Sequence, residues 1–277
     1  MIPEIPDFPQ VLILGTGIAG LSAALKFAKK GLTVTLACKS DPMEGATRYA
    51  QGGIASVWSD QDSFEDHKKD TLGAGVGLCH ERIVDLCVHE GPTRVKELID
   101  LGVEFTRRLT GAPVEGFDLH REGGHRKRRI LHADDLTGLA IEKALLARVR
   151  EQPKIRLIQD TVAVDLITEG KIFKRWRRLG RCLGAYLLDT KTGKVETVGA
   201  EITVIATGGA GKVYLYTSNP DTATGDGIAM AYRAGAHIAN MEFMQFHPTC
   251  LFHPTARTFL ISEAIRGEGA ILRSLSG

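Results

Sequence analysis

The chain has 277 residues, 43% of them hydrophobic and 25% charged, with a formal net charge of +2. Such a composition fits an ordinary globular protein, and the near-neutral balance excludes a global field that would draw nucleic acid or anionic membrane. No apolar run reaches the roughly 18 residues a membrane-spanning helix needs, so none is expected.

The length suits one large α/β domain and a piece of a second. Glycine occurs 31 times, above the usual share of about 7%, which suggests backbone that must closely approach something. The five cysteines, at 38, 79, 87, 182 and 250, include no CxxC pair. They are expected as reduced thiols in a reducing compartment, with no metal site and no disulfide framework. The first nine residues carry acids and three prolines and lack the basic and apolar regions of a signal peptide. They read as a loose arm, and the expected location is cytoplasmic.

Val11–Leu14 is a short apolar run suited to a buried parallel strand. Gly15-Thr-Gly-Ile-Ala-Gly20 follows, then a helix over Leu21–Lys30 with a basic last turn. Gly31 ends that helix, and Leu32–Ala37 is a second strand. The three together make a β-loop-α-β unit of the length that holds a dinucleotide. Asp41–Gly53 is broken by Pro42, Gly45, Gly52 and Gly53 and reads as a loop. Helices are expected over Phe64–Leu72, Glu81–Leu101, Leu136–Arg150 and Ile228–Ala234. Strands are expected over Ile155–Val164, Leu183–Leu188 and Glu201–Ile205, with a hairpin turn at Thr192-Gly193. Lys171–Arg181 mixes aromatics with bases, a pattern seen in RNA binding, but between strands it reads as a solvated hairpin tip. From about Ala239 the chain changes character. His, Glu and Arg stand among apolar residues, and Arg273-Ser-Leu-Ser-Gly277 closes without a capping element, so truncation is expected.

The glycine loop has the strand before it and the helix after it that its chemistry needs. Gly15 permits the tight turn, Gly17 lets backbone approach a pyrophosphate, and Gly20 lets helix and strand pack closely. Thr16, Ile18 and Ala19 lie within the same loop, whose N–H groups and helix dipole favour a phosphate. The acid that usually holds the ribose at the end of the second strand is missing from Ala37-Cys38-Lys39-Ser40. Lys39 or Ser40 contacts the ribose or phosphate instead, or Lys39 is a solvated strand end.

Glu44-Gly-Ala-Thr-Arg-Tyr-Ala-Gln-Gly-Gly-Ile54 and the distant Ala206-Thr-Gly-Gly209 fit one template. They resemble the fumarate reductase/succinate dehydrogenase flavoprotein superfamily. The resemblance implies an α/β fold: a Rossmann-like FAD-binding domain of the GR2 type over 1–240, incomplete, and the beginning of an α+β capping domain over 241–277. It also implies that Ala46, Thr47, Arg48, Tyr49, Ala50, Gln51, Gly52 and Gly53 form an extended loop around the FAD. Val162, Gly208 and Gly209 are further cofactor positions in that reading. Asp226 either lies near the FAD or caps the helix that follows it. Covalently flavinylated members have a histidine where this chain has Ala46, and a methyl group cannot form that bond, so FAD is expected to be noncovalent.

Arg121-Glu-Gly-Gly-His-Arg-Lys-Arg-Arg-Ile-Leu-His-Ala-Asp-Asp-Leu-Thr-Gly138 narrows the resemblance to the L-aspartate oxidase family. Aspartate differs from succinate by one amino group, and Glu122 is the carboxylate placed to meet that ammonium; otherwise it caps a loop. The basic run after it is either a solvated face or a positive field for a dianionic substrate. His125 and His132 are expected as structural hydrogen-bonders. Within Glu242-Phe-Met-Gln-Phe-His-Pro-Thr249, the resemblance makes His247 a donor to a substrate carboxylate with Thr249 nearby, while His253 is expected at the surface. Within Ser262-Glu-Ala-Ile-Arg-Gly-Glu-Gly269, Glu263 and Arg266 at i, i+3 are either a helical ion pair or a proton relay, with Ser262 near a substrate carboxylate.

The terminal catalytic arginine of that relay, and the later His and Arg that clamp the substrate, find no counterpart in these 277 residues. The activity implied is oxidation of L-aspartate to iminoaspartate, the first step toward quinolinate and NAD, with oxygen or fumarate as acceptor. Quinolinate synthase is the expected downstream partner. A soluble fumarate reductase with noncovalent FAD and a catalytically incomplete FAD-binding fragment are the rival readings.

Overall fold

A computed structural model of the chain describes residues 9–108, 116–173, 180–247, 250–251, 253, 260–261 and 263–277. In chain order the elements are β1 (Val11–Leu14), α1 (Ile18–Lys29), β2 (Val34–Ala37), β3 (Ile54–Ala55), α2 (Phe64–Ala74) and α3 (Glu81–Asp100). Next come β4 (Leu119–His120), β5 (Ile130–Leu131), α4 (Thr137–Glu151), β6 (Ile155–Ile158), β7 (Thr161–Thr168) and α5 (Glu169–Ile172). The chain continues through β8 (Cys182–Asp189), β9 (Val195–Gly199), β10 (Ile202–Ile205), α6 (Asp226–Arg233) and α7 (Glu263–Gly267). The contacts divide it into two compact units, one of Met1–Arg48 with Leu145–Pro248 and one of Tyr49–Ala144 with Thr249–Gly277. Among the described residues no helix is long and apolar enough to cross a membrane.

The first unit is built on a four-stranded parallel sheet in the order β10-β1-β2-β6. All four residues of β1 are buried, as a central parallel strand covered on both faces requires. Leu14 lies level with Ala37 and Ile205, and Ala37 with Ile158, so the four strands end in step at their carboxyl edge. Helix α1 buries Gly20, Leu21, Ala24 and Ala28 and carries Lys26 and Lys29 in its last turn, where cations offset the helix dipole. Gly31, at φ +90°, turns the chain into β2. A second sheet, β7-β8-β9, is antiparallel. Its Leu166, Ala185 and Leu187 join Leu12, Leu14 and Ala37 of the parallel sheet and Met230 of α6 in one apolar cluster. Full burial of such side chains contributes roughly 1.5–3 kcal/mol each.

The segment expected as a single strand over Ile155–Val164 is two strands in two sheets. Asp160 adopts φ +55°, a left-handed conformation that Asp tolerates better than most residues. The turn there ends the parallel β6 and redirects the chain into the antiparallel β7, and Thr190 N–H donates to the Asp160 carbonyl at 2.9 Å. The turn at Thr192-Gly193 is as expected: Gly193 has φ +71°, and Asp189 Oδ1 accepts from the Lys191 and Thr192 amides at 2.8 and 3.0 Å. The basic run of 171–181 lies between β7 and β8; residues 174–179 fall outside the described residues, and its flanks pair with acids, Lys171 with Asp165 and Arg181 with Glu169.

In the second unit α2 starts at Ser63, whose hydroxyl accepts from the Asp66 amide at 3.0 Å. A small antiparallel sheet, β3-β5-β4, stands with it. The basic run is solvated at the exposed Arg126, Lys127 and Arg128, but not at Arg129. Arg129 is 0% exposed and donates to Asp62 through Nε and Nη2 at 2.8 and 2.7 Å and to Asp70 through Nη1 at 2.8 Å. Asp70 accepts a further bond from the Arg126 amide at 3.0 Å. Burial alone would raise the Asp70 carboxyl, but the hydrogen bonds from Arg126 and the Arg129 charge outweigh it and hold the group below its ordinary value. His67 and His125 are held below theirs, chiefly by burial and then by the Arg129 charge.

Arg129→Met strands the buried Asp62 carboxylate, leaves Asp70 with Arg126 alone, and should cost about 3–5 kcal/mol, read as a lowered urea midpoint. The histidines set a pH window. The fold favours their neutral form, so their contribution is fully present above the ordinary value of 6.5 and is lost as pH falls through their depressed folded values. Asp70 likewise contributes above its ordinary 3.8 and loses that contribution as pH falls below it. The urea midpoint should therefore decline below pH 6.5 and more steeply below pH 3.8. A His67→Gln/His125→Gln protein should show a shallower first decline, the remainder coming from His120, which burial also holds below its ordinary value.

Candidate cofactor site

At the carboxyl edge of the parallel sheet the chain leaves β1 through Gly15, at φ +111°. A Cβ on Gly15 would overlap the Ala206 carbonyl, and one on Gly20 would overlap the Gly15 carbonyl. The start of α1 is thereby drawn in against the ends of β1 and β10. Gly17 is the N-cap of α1 and supplies no side-chain cap. That role falls to Thr47, whose hydroxyl accepts from the Ile18 amide at 3.1 Å. A Cβ on Gly17 would lie 3.2 Å from the same hydroxyl.

The chain returns to this edge after β10. Ala206 N–H donates to the Leu14 carbonyl at 2.8 Å, and Gly208 follows at φ +71°. Gly225 N–H donates to the Gly209 carbonyl at 3.2 Å and begins α6 in a left-handed conformation, φ +76°. Gly225, not Asp226, is the N-cap of α6; Asp226 is its first residue and sits in the turn where an anion suits the dipole. Lys39, at the end of β2, reaches Asp226 Oδ2 at 2.7 Å and Thr224 Oγ1 at 2.6 Å. It is thus an ion-paired residue rather than a solvated strand end. Burial would raise the Asp226 carboxyl, but bonds from Lys39 and Thr224 hold it below its ordinary value.

Between these two returns lies an open cleft of about 840 Å³. The first glycine turn supplies Gly15, Thr16 and Gly17 to its wall, the loop after β2 supplies Lys39, Ala46 and Thr47, and the second return supplies Gly208, Gly209 and Asp226. Cys38 also lines it, and burial pushes its thiol up to about 11. Ile18 and Ala19 stand in the first turn of α1, and Gly20 makes the close helix packing. The cleft takes Thr161 and Ala163 from β7, the neighbours of Val162. Arg48 lies 3.8 Å from Glu44 in the same unit.

The rest of the expected loop belongs to the second unit. There the Ala50 and Gly52 carbonyls accept from Gly138 N–H and the Thr137 hydroxyl, both at 2.9 Å. Gln51 donates to the Leu260 carbonyl at 3.3 Å, and Tyr49 is exposed. A Cβ on Gly53 would overlap the Leu131 carbonyl, so this glycine serves close packing.

Of the expected substrate residues, Glu122 follows β4 in the second unit and its carbonyl accepts from His125 N–H at 3.2 Å. The Arg121-Glu122 backbone lies against Gly267 of α7, the helix that carries Glu263 and Arg266 at i, i+3. Arg128 ties the two segments together with a two-pronged pair to Glu268, both contacts 2.6 Å. His125 and His132 are hydrogen-bonders as expected, to Arg129 at 3.3 Å and to the Asp134 carbonyl at 3.2 Å. His247 is half-buried in the first unit, and His253 is exposed. Thr249 and Ser262 lie outside the described residues, as does the side chain of Glu263.

The cleft has the form of a dinucleotide cradle. It opens where the parallel strands end, and two of its glycines have empty space where side chains would stand: no described atom lies within 4 Å of a Cβ built on Gly208 or Gly209. The fold and the site define a flavoprotein cradle. The profile of the FAD binding domain family matches residues 10–277, and the chain belongs to that family, with FAD as its cofactor.

L-Aspartate oxidase 1 of Ralstonia nicotianae is 54% identical over 264 residues, which is 95% of this chain and 48% of that protein. L-Aspartate oxidase of Pseudomonas aeruginosa is 52% identical over 271 residues, 97% of this chain and 50% of its own length. The chain thus spans about half the length of the curated relatives it matches. Among solved structures, a variant of E. coli quinol fumarate reductase FrdA superposes with a TM-score of 0.84 at 33% identity, covering 94% of this chain and 42% of that one.

Gly209→Leu should leave the thermal midpoint of the cofactor-free protein nearly unchanged, since a Cβ there meets no described atom within 4 Å. It should weaken FAD binding at least about tenfold, equivalent to 1.4 kcal/mol, in a fluorescence titration. Unchanged affinity would remove Gly209 from the cradle.

Proposed function

We propose that this chain is the FAD-binding portion of an enzyme that oxidises L-aspartate to iminoaspartate, the first step toward quinolinate and NAD, with oxygen or fumarate as final acceptor. The observation that carries the reading is the identity of about half of all positions with L-aspartate oxidases over 95% and more of the chain.

FAD, when bound, supplies the acceptor for the two electrons removed from the substrate. The residues of this chain hold and orient. The N–H groups at Gly15–Gly20 and the start of α1 favour a pyrophosphate, and Lys39, fixed by Asp226, takes the place of the acid that usually meets the ribose. Ala46 has only a methyl group, so the cofactor is held without a covalent bond there. Tyr49 to Gly53 and Val162 complete the proposed cofactor contacts.

On the substrate side Glu122 meets the ammonium, and His247, Thr249 and Ser262 serve the carboxylates. Glu263 and Arg266 belong to a proton relay that ends on a residue beyond these 277. Residues 1–240 form the FAD-binding domain and 241–277 the start of a capping domain. The location is cytoplasmic, and because iminoaspartate is unstable its consumer, quinolinate synthase, is a functional partner. The 33% identity with the fumarate reductase flavoprotein favours one rival, a soluble fumarate reductase with noncovalent FAD.

Anaerobic addition of L-aspartate and, separately, succinate to the flavin-loaded full-length protein separates the two. Bleaching by aspartate alone is the expected result; bleaching by succinate alone selects the rival. Glu122→Gln should lower the ratio of kcat/KM for aspartate over succinate by about one to two orders of magnitude, the range of a charged hydrogen bond worth about 1.5–3 kcal/mol. An unchanged ratio would take Glu122 out of substrate discrimination.

A further inference from the structure

We infer that Asp118, His120 and His132 form a binding site for a single first-row divalent cation, zinc by choice of ligands, on the small sheet of the second unit. The backbone builds the site. Leu119 pairs with Leu131 in antiparallel register, which sets Asp118 opposite His132 and puts His120, two residues along, on the same face. Thr106 locks this arrangement, for its amide donates to the His132 carbonyl at 2.8 Å and its carbonyl accepts from the Asp118 amide at 3.0 Å.

The side chains then face one another. His132 Nδ1 lies 3.2 Å from the Asp134 carbonyl. A carbonyl only accepts, so Nδ1 carries a proton and Nε2 is the ring atom left to ligate a cation. That Nε2 is buried, in a side chain only 4% exposed, and has no hydrogen-bond partner among the described residues. It stands 3.5 Å from Asp118 Oδ2, and His120 Nε2 stands 3.7 Å from the same oxygen. The two rings stack with centroids 3.6 Å apart. The three candidate ligand atoms thus gather within 4.8 Å of one another.

The chemistry of the three groups suits a metal. Two imidazoles and one carboxylate are a borderline-soft set that takes zinc, cobalt or nickel in preference to calcium or magnesium. The edges of 3.5 and 3.7 Å are close to the roughly 3.3–3.4 Å separating ligand atoms around a tetrahedral zinc with bonds of about 2.0–2.1 Å. The Nδ1–H···O=C bond of His132 is the outer-shell contact that fixes the ring of a metal-bound histidine. Asp118 and His120 have side chains 47% and 30% exposed. A cation thus enters from solvent, a half-exposed imidazole has room to turn toward it, and water completes the fourth position. Bound there, the cation joins both ends of the 121–129 loop that carries Glu122.

The test uses the 277-residue chain stripped with chelator, with Co²⁺ followed by its visible d–d bands and Zn²⁺ by calorimetry. One equivalent of each should bind. His120→Ala, at a half-exposed position, and Asp118→Asn should each weaken binding by about 100-fold or more, at or beyond the upper end of the loss seen when an outer-shell partner is removed. A Cys87→Ser/Cys250→Ser protein should bind as before. Absence of cobalt bands and zinc heat would overturn the assignment. So would affinity unchanged in His120→Ala, which would move the metal elsewhere, the exposed thiols included.

Discussion

The cofactor cleft depends on one backbone contact, the approach of Gly15 to the carbonyl of Ala206. No side chain larger than hydrogen fits at Gly15 or at Gly20, because each would overlap a carbonyl oxygen. With both absent, β1, β10 and the first turn of α1 meet at one point. The start of α1 then sits beside the place where the second return bends away through Gly208 and Gly209. The register of the four parallel strands brings the loops to a common edge, and the glycines leave it uncovered.

The two units treat charge differently. In the second, Arg129 is buried outright and is tolerable only because two carboxylates and the amide of Arg126 complete its network. In the first, Lys39 and Asp226 pair at the rim with about 30% of each side chain exposed. Such a pair adds little stability, but it fixes where a positive charge stands relative to the cleft. The first arrangement secures a fold; the second sets the placement of charge at the rim of the cleft.

Much of this was legible in the residues. The strand-glycine-helix unit followed from local pattern, because a buried parallel strand is a short apolar run and the turn after it admits only glycine. The pairing of the loop at Glu44–Ile54 with Ala206–Gly209 came from resemblance, not periodicity. What stayed hidden was set by distant partners. The sheet change at Asp160 rests on a conformation that Asp adopts only when surroundings require it. The burial of Arg129 could not be read from a run of four basic residues, since Asp62 and Asp70 lie far upstream. Thr47 as the cap of α1 is likewise a contact across a loop, with no spacing to announce it.

The first unit is assembled from two separated stretches of chain, with Tyr49–Ala144 between them. Its central strand β1 has β2 beside it early, but its other neighbour, β10, pairs Val11 with Ile202. During synthesis β1 therefore leaves the ribosome with one edge unpaired and stays so until β10 has emerged. At about 5–20 residues per second that interval is on the order of ten seconds or more. An apolar strand with a bare edge is an aggregation hazard for as long as it waits. The topology that makes the cradle thus makes the nascent chain dependent on whatever shields that edge, and production of the protein will respond to translation speed and chaperone supply.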